Sequence, residues 1–364
     1  MTFGLSPRAL RGLAVAGAMT MFGAACAQAQ SSNSRLNGEA VASHAVIFTY
    51  HRFGEAQSPA TNLRLDQFDA QVQELLEGGY NVLPLADIVA ALQAGETLAD
   101  KTVGLSVDDA YASFYVNAWP RLRAANLPFT VFVATDSLDR NSPDVMTWDQ
   151  LREMVASGLV TIGSQSMSHP HMPTADDARI AEELTKSAAR IAAEIGAPPA
   201  LFAYPYGEMS SRVREAVRKA GYAAAFGQHS GVAFAGEDFF YLPRFSVNER
   251  FGDMSRFRLA AQALPLPVGD VTPADPFLMG DNPPAFGFTM TADLRNIDKL
   301  GCYYADQSLQ IERLGERRIE ARIAKPFPPG RARLNCTLPA GNDRWRWYGT
   351  QFVVPDPSGA NPPD

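Results

Sequence analysis

Val103-Gly104-Leu105-Ser106-Val107-Asp108-Asp109 decides the fold class. A short, mostly apolar run that stops on two carboxylates reads as a buried strand with its polar residues at the C-terminal end. The same arrangement recurs on either side of it. Ala45-Val46-Ile47-Phe48-Thr49-Tyr50 ends at His51, and Val160-Thr161-Ile162-Gly163 precedes Gln165-Ser166-Met167-Ser168-His169. Ala200 to Tyr204 precedes Pro205-Tyr206, and Tyr80 to Leu83, Phe129 to Ala134 and Ala223 to Phe226 are further strands. Helical patterns fill the intervals. Leu65 to Gly78 carries Phe68, Val72 and Leu75 at helical spacing, and Leu85 to Leu92, Trp119 to Ala125, Trp148 to Ser157 and Ser210 to Gly221 follow. Asp176 to Gly196 has acids at its start and glycine at its end, as a helix should. Repeated β-α units predict a parallel sheet, open or closed into a barrel, with its chemistry at the strand C-termini.

The whole chain sets outer bounds. Its 364 residues suggest two domains, or one large α/β domain. With 46% hydrophobic and 20% charged residues it is globular in composition, and a net charge of -7 argues against a general nucleic-acid binder. Arg8 and Arg11 precede an apolar run from Leu13 to Ala25, and Ala27-Gln28-Ala29 offers a small-x-small cleavage site. That is the anatomy of a secretory signal peptide, and its removal leaves the chain more acidic. A periplasmic or extracellular location follows. Cys302 and Cys336 then remain as an even pair in an oxidising compartment, and a disulfide between them is expected. Acylation of Cys26 is the competing reading, disfavoured by Gly23 where a larger aliphatic residue would stand in a lipoprotein signal.

After Ala263 the composition changes. Pro265, Pro267, Pro273 and Pro276 suggest a linker. Short strand-like runs follow at Phe286 to Met290, Gly301 to Tyr304, Leu309 to Glu312, Arg318 to Ile323, Ala332 to Leu338 and Gln351 to Val354, which fit an antiparallel sandwich bridged by the cysteines. Trp345, Trp347 and Tyr348 could offer a sugar-stacking face, though packing is the commoner fate of such residues.

Adjacent side chains on a strand point to opposite faces, but where the strand ends the rule relaxes. One carboxylate of Asp108-Asp109 can then bind a metal while the other stays free as a base. His169 lies four residues after Gln165, so both could face one ion, and a carboxylate- and imidazole-bound metal with an open position activates water near neutral pH. Pro170 should turn His171 away as a bystander.

Ser106-Val107-Asp108-Asp109, Gly163-Ser164-Gln165-Ser166-Met167-Ser168-His169-Pro170 and Phe202-Ala203-Tyr204-Pro205-Tyr206-Gly207 resemble the successive motifs of polysaccharide deacetylases, the NodB-homology enzymes of carbohydrate esterase family four. The resemblance covers His44 to about Phe251. It implies α/β architecture, a distorted (β/α)7 barrel of NodB type, followed here by a small all-β sandwich-like C-terminal domain. It implies Asp108 as general base, Asp109 and His169 as metal ligands, Pro205 and Tyr206 in the substrate groove, and the main-chain N–H of Tyr206 near the oxyanion. Many members use a late histidine as acid, and no histidine follows His229. Tyr50-His51-Arg52 instead ends the first strand, as in circularly permuted members acting on exported polysaccharides, so His51 is the general-acid candidate.

This chain departs from the pattern twice. Ala203 stands where an arginine often orients the base, and Arg244, in Leu242-Pro243-Arg244-Phe245, could supply that cation and is grouped with Pro205 and Tyr206 on the substrate side. Gln165 replaces the first histidine of His-x-x-x-His, a neutral oxygen donor in place of an imidazole. The implied divalent metal, zinc, should be held more loosely or exchanged for another. The expected organisation is a signal peptide at 1–29, a flexible segment at 30–43, a NodB-like domain at 44–262, a linker at 263–282, a β-sandwich-like domain at 283–356 and a disordered tail at 357–364. The expected function is an exported metal-dependent hydrolase that deacetylates a bacterial polysaccharide, with association with a polysaccharide export system left open. An O-acetyl esterase, or a weak or inactive polysaccharide-binding or matrix-assembly protein, are the alternatives.

Overall fold

The computed structural model describes residues 1–2, 34–36, 39–356 and 358, so most of the expected leader and of the expected tail fall outside the described residues. Within the segment expected to be flexible, Ser34–Leu36 pairs antiparallel with Glu39–Val41. No helix among the described residues is long and apolar enough to cross a membrane.

The N-terminal region is a curled sheet wrapped by helices. Its strands are β1 (His44–Tyr50), β2 (Asn81–Val82), β3 (Thr102–Val107), β4 (Phe129–Val133), β5 (Val160–Ser164), β6 (Leu201–Ala203), β7 (Ala224–Phe226), β8 (Ala233–Phe234) and β9 (Phe245–Ser246). The order is β7-β6-β5-β4-β3-β1-β8, with β2 added beside β3 and β9 beside β1. β1, β3 and β4 are buried along their whole length. Strands covered on both faces need continuous apolar sequence, which is why the Val103 run lacks alternation. Between them lie α1 (Leu65–Glu77), α2 (Leu85–Gln93), α3 (Trp119–Ala124), α4 (Thr135–Asp139), α5 (Trp148–Ala156), α6 (Asp177–Ile195), α7 (Ser211–Lys219) and α8 (Met254–Ala261). The bounds of α6 have local causes: the Asp176 carboxylate accepts the Arg179 N–H at 2.8 Å, and Gly196 ends the helix in the left-handed region at φ 87°.

The two ends of the sheet meet in one segment. Leu242 bridges in parallel to Phe226 of β7, and three residues later Phe245 pairs with Phe48 of β1. Arg244 sits between these two contacts, on the closing segment of the barrel.

The C-terminal region forms two sheets around one apolar core. Their strands are β10 (Leu264–Pro265), β11 (Val268–Thr272), β12 (Phe286–Met290), β13 (Gly301–Tyr304), β14 (Gln307–Ser308), β15 (Gln310–Leu314), β16 (Arg318–Arg322), β17 (Gly330–Gly341) and β18 (Arg344–Val354). One sheet runs β10-β18-β17-β13-β14 and the other β11-β12-β16-β15. Phe286, Phe288, Leu334, Leu338 and Phe352 are among the side chains between them. The stretch read as a linker, 263–282, therefore supplies β10 and β11, with Leu264 and Leu266 buried. Proline suggested a spacer, but both strands are sheet edges, where a missing N–H is tolerated.

The second region is fastened to the first by close backbone approach as well as side chains. A Cβ at Gly349 would lie 2.1 Å from the Ser230 carbonyl oxygen, so β18 can lie there only with glycine. Trp347 packs edge-on against Phe245 at 5.2 Å, and Tyr348 lies 5.6 Å from Phe288 in the sandwich core. Neighbours on a strand face opposite ways, so these two aromatics cannot share one sugar-stacking face.

Cys302 and Cys336 are direct cross-strand partners of β13 and β17 and are joined by a disulfide closing 34 residues of sequence. Replacing both by alanine is expected to destabilise the C-terminal sheets by about 2–4 kcal/mol, measured as a lower urea midpoint by tryptophan fluorescence.

Candidate active site

The paired aspartates separate because the chain turns as β3 ends. Asp109 and Ala110 are both left-handed, at φ 68° and 53°, which breaks the strand alternation. Asp108 goes inward and is fully buried, while Asp109 reaches a cleft of about 760 Å³. The turn is held by Gln165, whose Oε1 accepts the Asp109 N–H at 3.2 Å. That leaves the buried Gln165 Nε2 without a hydrogen-bond partner among the described residues.

Arg244 clamps Asp108 from below. Its Nη1 and Nη2 donate to the two carboxylate oxygens at 2.7 and 2.8 Å, Nη1 also donates to Ser106 Oγ at 3.1 Å, and Nε donates to the Gly227 carbonyl at 2.9 Å. Burial alone would push the Asp108 carboxyl up; the Arg244 guanidinium, then His51, outweigh it and hold the group below its ordinary 3.8. Arg244 has no exposed surface, so of its two expected places it takes the one beside Asp108 and not the substrate side with Tyr206; Pro205, also expected on that side, is buried and does not line the cleft.

His51 lines the cleft, with Nε2 at 3.9 Å from Asp108 Oδ2. That is too long for a hydrogen bond, but close enough for both atoms to reach one water molecule. Gln228 Nε2 sits beside the pair, 3.3 Å from Asp108 Oδ2 and 3.4 Å from His51 Nε2. His229 cannot serve as an acid here. Burial first, then Arg333 and Arg244, pull it down to about 3, so it stays neutral.

The loop carrying His169 is fixed from α6. Glu183, fully buried, accepts the N–H groups of Met167 and Ser168 at 2.8 Å each and the Ser168 hydroxyl at 2.5 Å. Ser166 Oγ accepts the His169 N–H at 3.1 Å. His169 Nε2 thereby comes to 3.5 Å from Asp109 Oδ1, buried and reached by no hydrogen bond among the described residues. A carboxylate and an imidazole nitrogen facing each other in this way suit a divalent cation, with the neutral Gln165 amide adjoining. No group of three or more His, Cys, Asp or Glu side chains is arranged to hold a metal ion among the described residues.

Pro205 opens a short turn that presents Tyr206 to the cleft at φ 59°. The Tyr206 ring lies edge-on to His169 at 4.4 Å and stacks flat on His171 at 4.3 Å. His171, expected to be a bystander, is thus the floor beneath Tyr206, itself bound through Nδ1 to the buried Glu208 carboxylate at 2.8 Å. Other residues come from the second sheet system. Gln351 Nε2 donates to the Tyr206 carbonyl at 3.1 Å, and Arg331 and Arg333 line the cleft.

The structure therefore brings His51, Asp109, His169 and Tyr206 to one cleft, places Asp108, Arg244 and Gln165 beneath it, and leaves Cys302 and Cys336 outside it, in the C-terminal sheets. Glu183, Gln228, Arg331, Arg333 and Gln351 escaped the sequence reading. Two of them had a signal: Gln228 stands two residues beyond β7, at a strand end, and Glu183 is an acid on the inward side of an amphipathic helix; the other three lie outside the strand-end motifs.

Arg244→Gln tests the clamp. Stability from the depressed Asp108 carboxyl is present above its unfolded value and is lost as pH falls through the lower folded value. Without Arg244 the largest group opposing burial is gone and the Asp108 carboxyl rises, so this loss on acidification shrinks and the variant falls furthest below the parent at neutral pH. Urea unfolding across the acid range should show this, together with a destabilisation at neutral pH of about 3–5 kcal/mol.

Residues 95–225 match the family model for polysaccharide deacetylase. They include Asp108, Asp109, Gln165, His169 and Tyr206 but neither His51 nor Arg244. A poly-β-1,6-N-acetyl-D-glucosamine N-deacetylase of Escherichia coli is 26% identical over 216 residues, covering 48% of this chain and 32% of that protein. One from Staphylococcus aureus is 23% identical over 198 residues, covering 50% and 67%. Among solved structures, IcaB from Ammonifex degensii superposes with a TM-score of 0.55 at 25% identity, covering 61% of this chain and 98% of that one. The deacetylase PplD of Streptococcus pyogenes gives 0.55 at 24%, covering 58% and 95%. The curled barrel, the motif order and the family match agree: residues 95–225 are a match to the polysaccharide deacetylase family, set in a barrel of the NodB, carbohydrate esterase family four type.

Proposed function

We propose that this chain is an exported, metal-dependent hydrolase that removes acetyl groups, N-linked on amino sugars, from a bacterial extracellular polysaccharide. The observation that carries this reading is the convergence of His51, Asp109 and His169 on one cleft directly above the Asp108–Arg244 pair. The activity named for the Escherichia coli relative makes a β-1,6-N-acetylglucosamine polymer the first substrate to try. Export rests on the leader read at residues 1–29.

Asp109 and His169 would hold the divalent cation, zinc in the first instance, with Gln165 as a weaker oxygen donor. Such an ion polarises a carbonyl and acidifies bound water. Asp108 accepts the proton of the attacking water at Oδ2, the oxygen nearer His51. Arg244 keeps that carboxylate charged and immobile. His51 delivers a proton from Nε2 to the departing amine, which makes C–N cleavage productive. Tyr206, seated on His171, forms a wall beside His169 for the sugar.

A second reading has an observation of its own. Gln165 leaves only two strong ligands, which favours a weakly active or purely glycan-binding protein. Acetate release from β-1,6-N-acetylglucosamine oligomers, with defined metal content, separates the two. Asp108→Asn and His51→Gln should each lower the rate by about 10²–10⁴-fold; oligomer binding with no release in the parent protein would support the second reading. An O-acetylated oligomer hydrolysed in preference would move the assignment to an esterase. Gln165→His should raise metal content after dialysis, and unchanged content would place residue 165 outside the ligand set.

A further inference from the structure

The cleft is basic on an acidic protein. Arg52, Arg140, Arg331 and Arg333 line it, and Asp109 is the carboxylate that lines it with them. Two of these guanidinium groups lie within 4 Å of a carboxylate, and Glu208 acts on Arg333 from farther off. Arg52 binds Glu55 at 2.7 Å, and Arg331 lies 3.9 Å from Glu208. The other two are hydrogen-bonded to neutral acceptors. Arg140 donates to Ser137 Oγ at 3.3 Å, and Arg333 donates to Gln351 Oε1 at 2.7 Å and Gln228 Oε1 at 3.4 Å.

The origin of these groups matters as much as their charge. Arg331 and Arg333 are two apart on β17, so both leave the strand on one face, while Ala332 between them is buried in the sandwich core. The C-terminal sheets thus deliver a paired charge into the cleft of the barrel. A neutral N-acetylated sugar gives guanidinium groups nothing to neutralise. Its deacetylated product is an ammonium, which the same array repels, so a polymer of amino sugars alone becomes a poorer ligand as the reaction proceeds. Planar guanidinium forks match carboxylate and phosphate oxygens.

We infer that the polymer taken by this cleft is anionic, bearing a carboxylate or phosphate close to the acetylated sugar, with Arg140 and Arg333 as its specificity-determining contacts. The inference rests on the deacetylase reading of the cleft and names its substrate class. The test is calorimetric binding to the full chain of four probes. These are oligogalacturonate for carboxylate, a glycerol-phosphate teichoic oligomer for phosphate, a neutral β-1,6-N-acetylglucosamine oligomer, and a single-stranded oligonucleotide. At least one acidic glycan should bind about tenfold tighter than the neutral oligomer, and Arg140→Gln and Arg333→Gln should each cut that acidic-to-neutral ratio about tenfold. The acidic probe that binds names the anion. Equal binding of neutral and acidic glycans, a ratio unmoved by both substitutions, or an oligonucleotide preferred over every glycan would overturn the inference.

Acetate release from a hyaluronan hexasaccharide, which alternates uronate with N-acetylglucosamine, is measured in parallel. Anion-selective binding with no release from any acetylated glycan sinks the deacetylase reading and keeps the anion subsite. Release from the neutral oligomer with no acidic preference sinks only the inference.

Discussion

Arg244 and Asp108 hold one another inside the barrel, and the site above them depends on that pair. Both are fully buried, and taking two charges from water is costly unless geometry and further hydrogen bonds compensate. Here the fork is bidentate, and Ser106 and the Gly227 carbonyl take further guanidinium donors. Arg244 also lies on the segment whose Leu242 touches β7 and whose Phe245 touches β1. The closure of the sheet and the ionisation of Asp108 are therefore one arrangement. Moving Arg244 would open the barrel seam and release the carboxylate together.

Above this pair the groups are positioned by elements distant in sequence. Glu183 on α6 fixes the loop that carries His169, and the His171–Glu208 pair supports Tyr206 from beneath. Gln228 stands between His51 and Asp108 and receives Arg333 from β17. Through Arg333 and through Gln351, which binds the Tyr206 carbonyl, the C-terminal sheets take part in shaping the cleft. The absence of a side chain at Gly349 lets those sheets come close enough to do so.

Much of the fold was legible because its strands are buried on both faces. Continuous apolar runs ending in polar residues can hardly be read otherwise, and β3, β4, β5 and α6 lie within a residue or so of their expected bounds. From 263 to 282 proline content suggests a spacer, but edge strands accept proline and two of them lie there. Pro170 points to His171 as a bystander, yet ring stacking with Tyr206 depends on where two separate loops meet.

The sequence by itself determined the α/β class, the strand-end placement of Asp108-Asp109, Gln165, His169 and His51, and the all-β character of the C-terminal region. These follow from periodicity and local chemistry, which act over a few residues. Only the tertiary structure decided that Arg244 binds Asp108 rather than substrate, that Glu183 and His171 support the site, and that Arg331 and Arg333 make the cleft basic. Those facts depend on which segments closure of the barrel and docking of the second sheet system bring together, across separations such as the 136 residues between Asp108 and Arg244 and the 145 between Tyr206 and Gln351. Local sequence carries no record of such encounters.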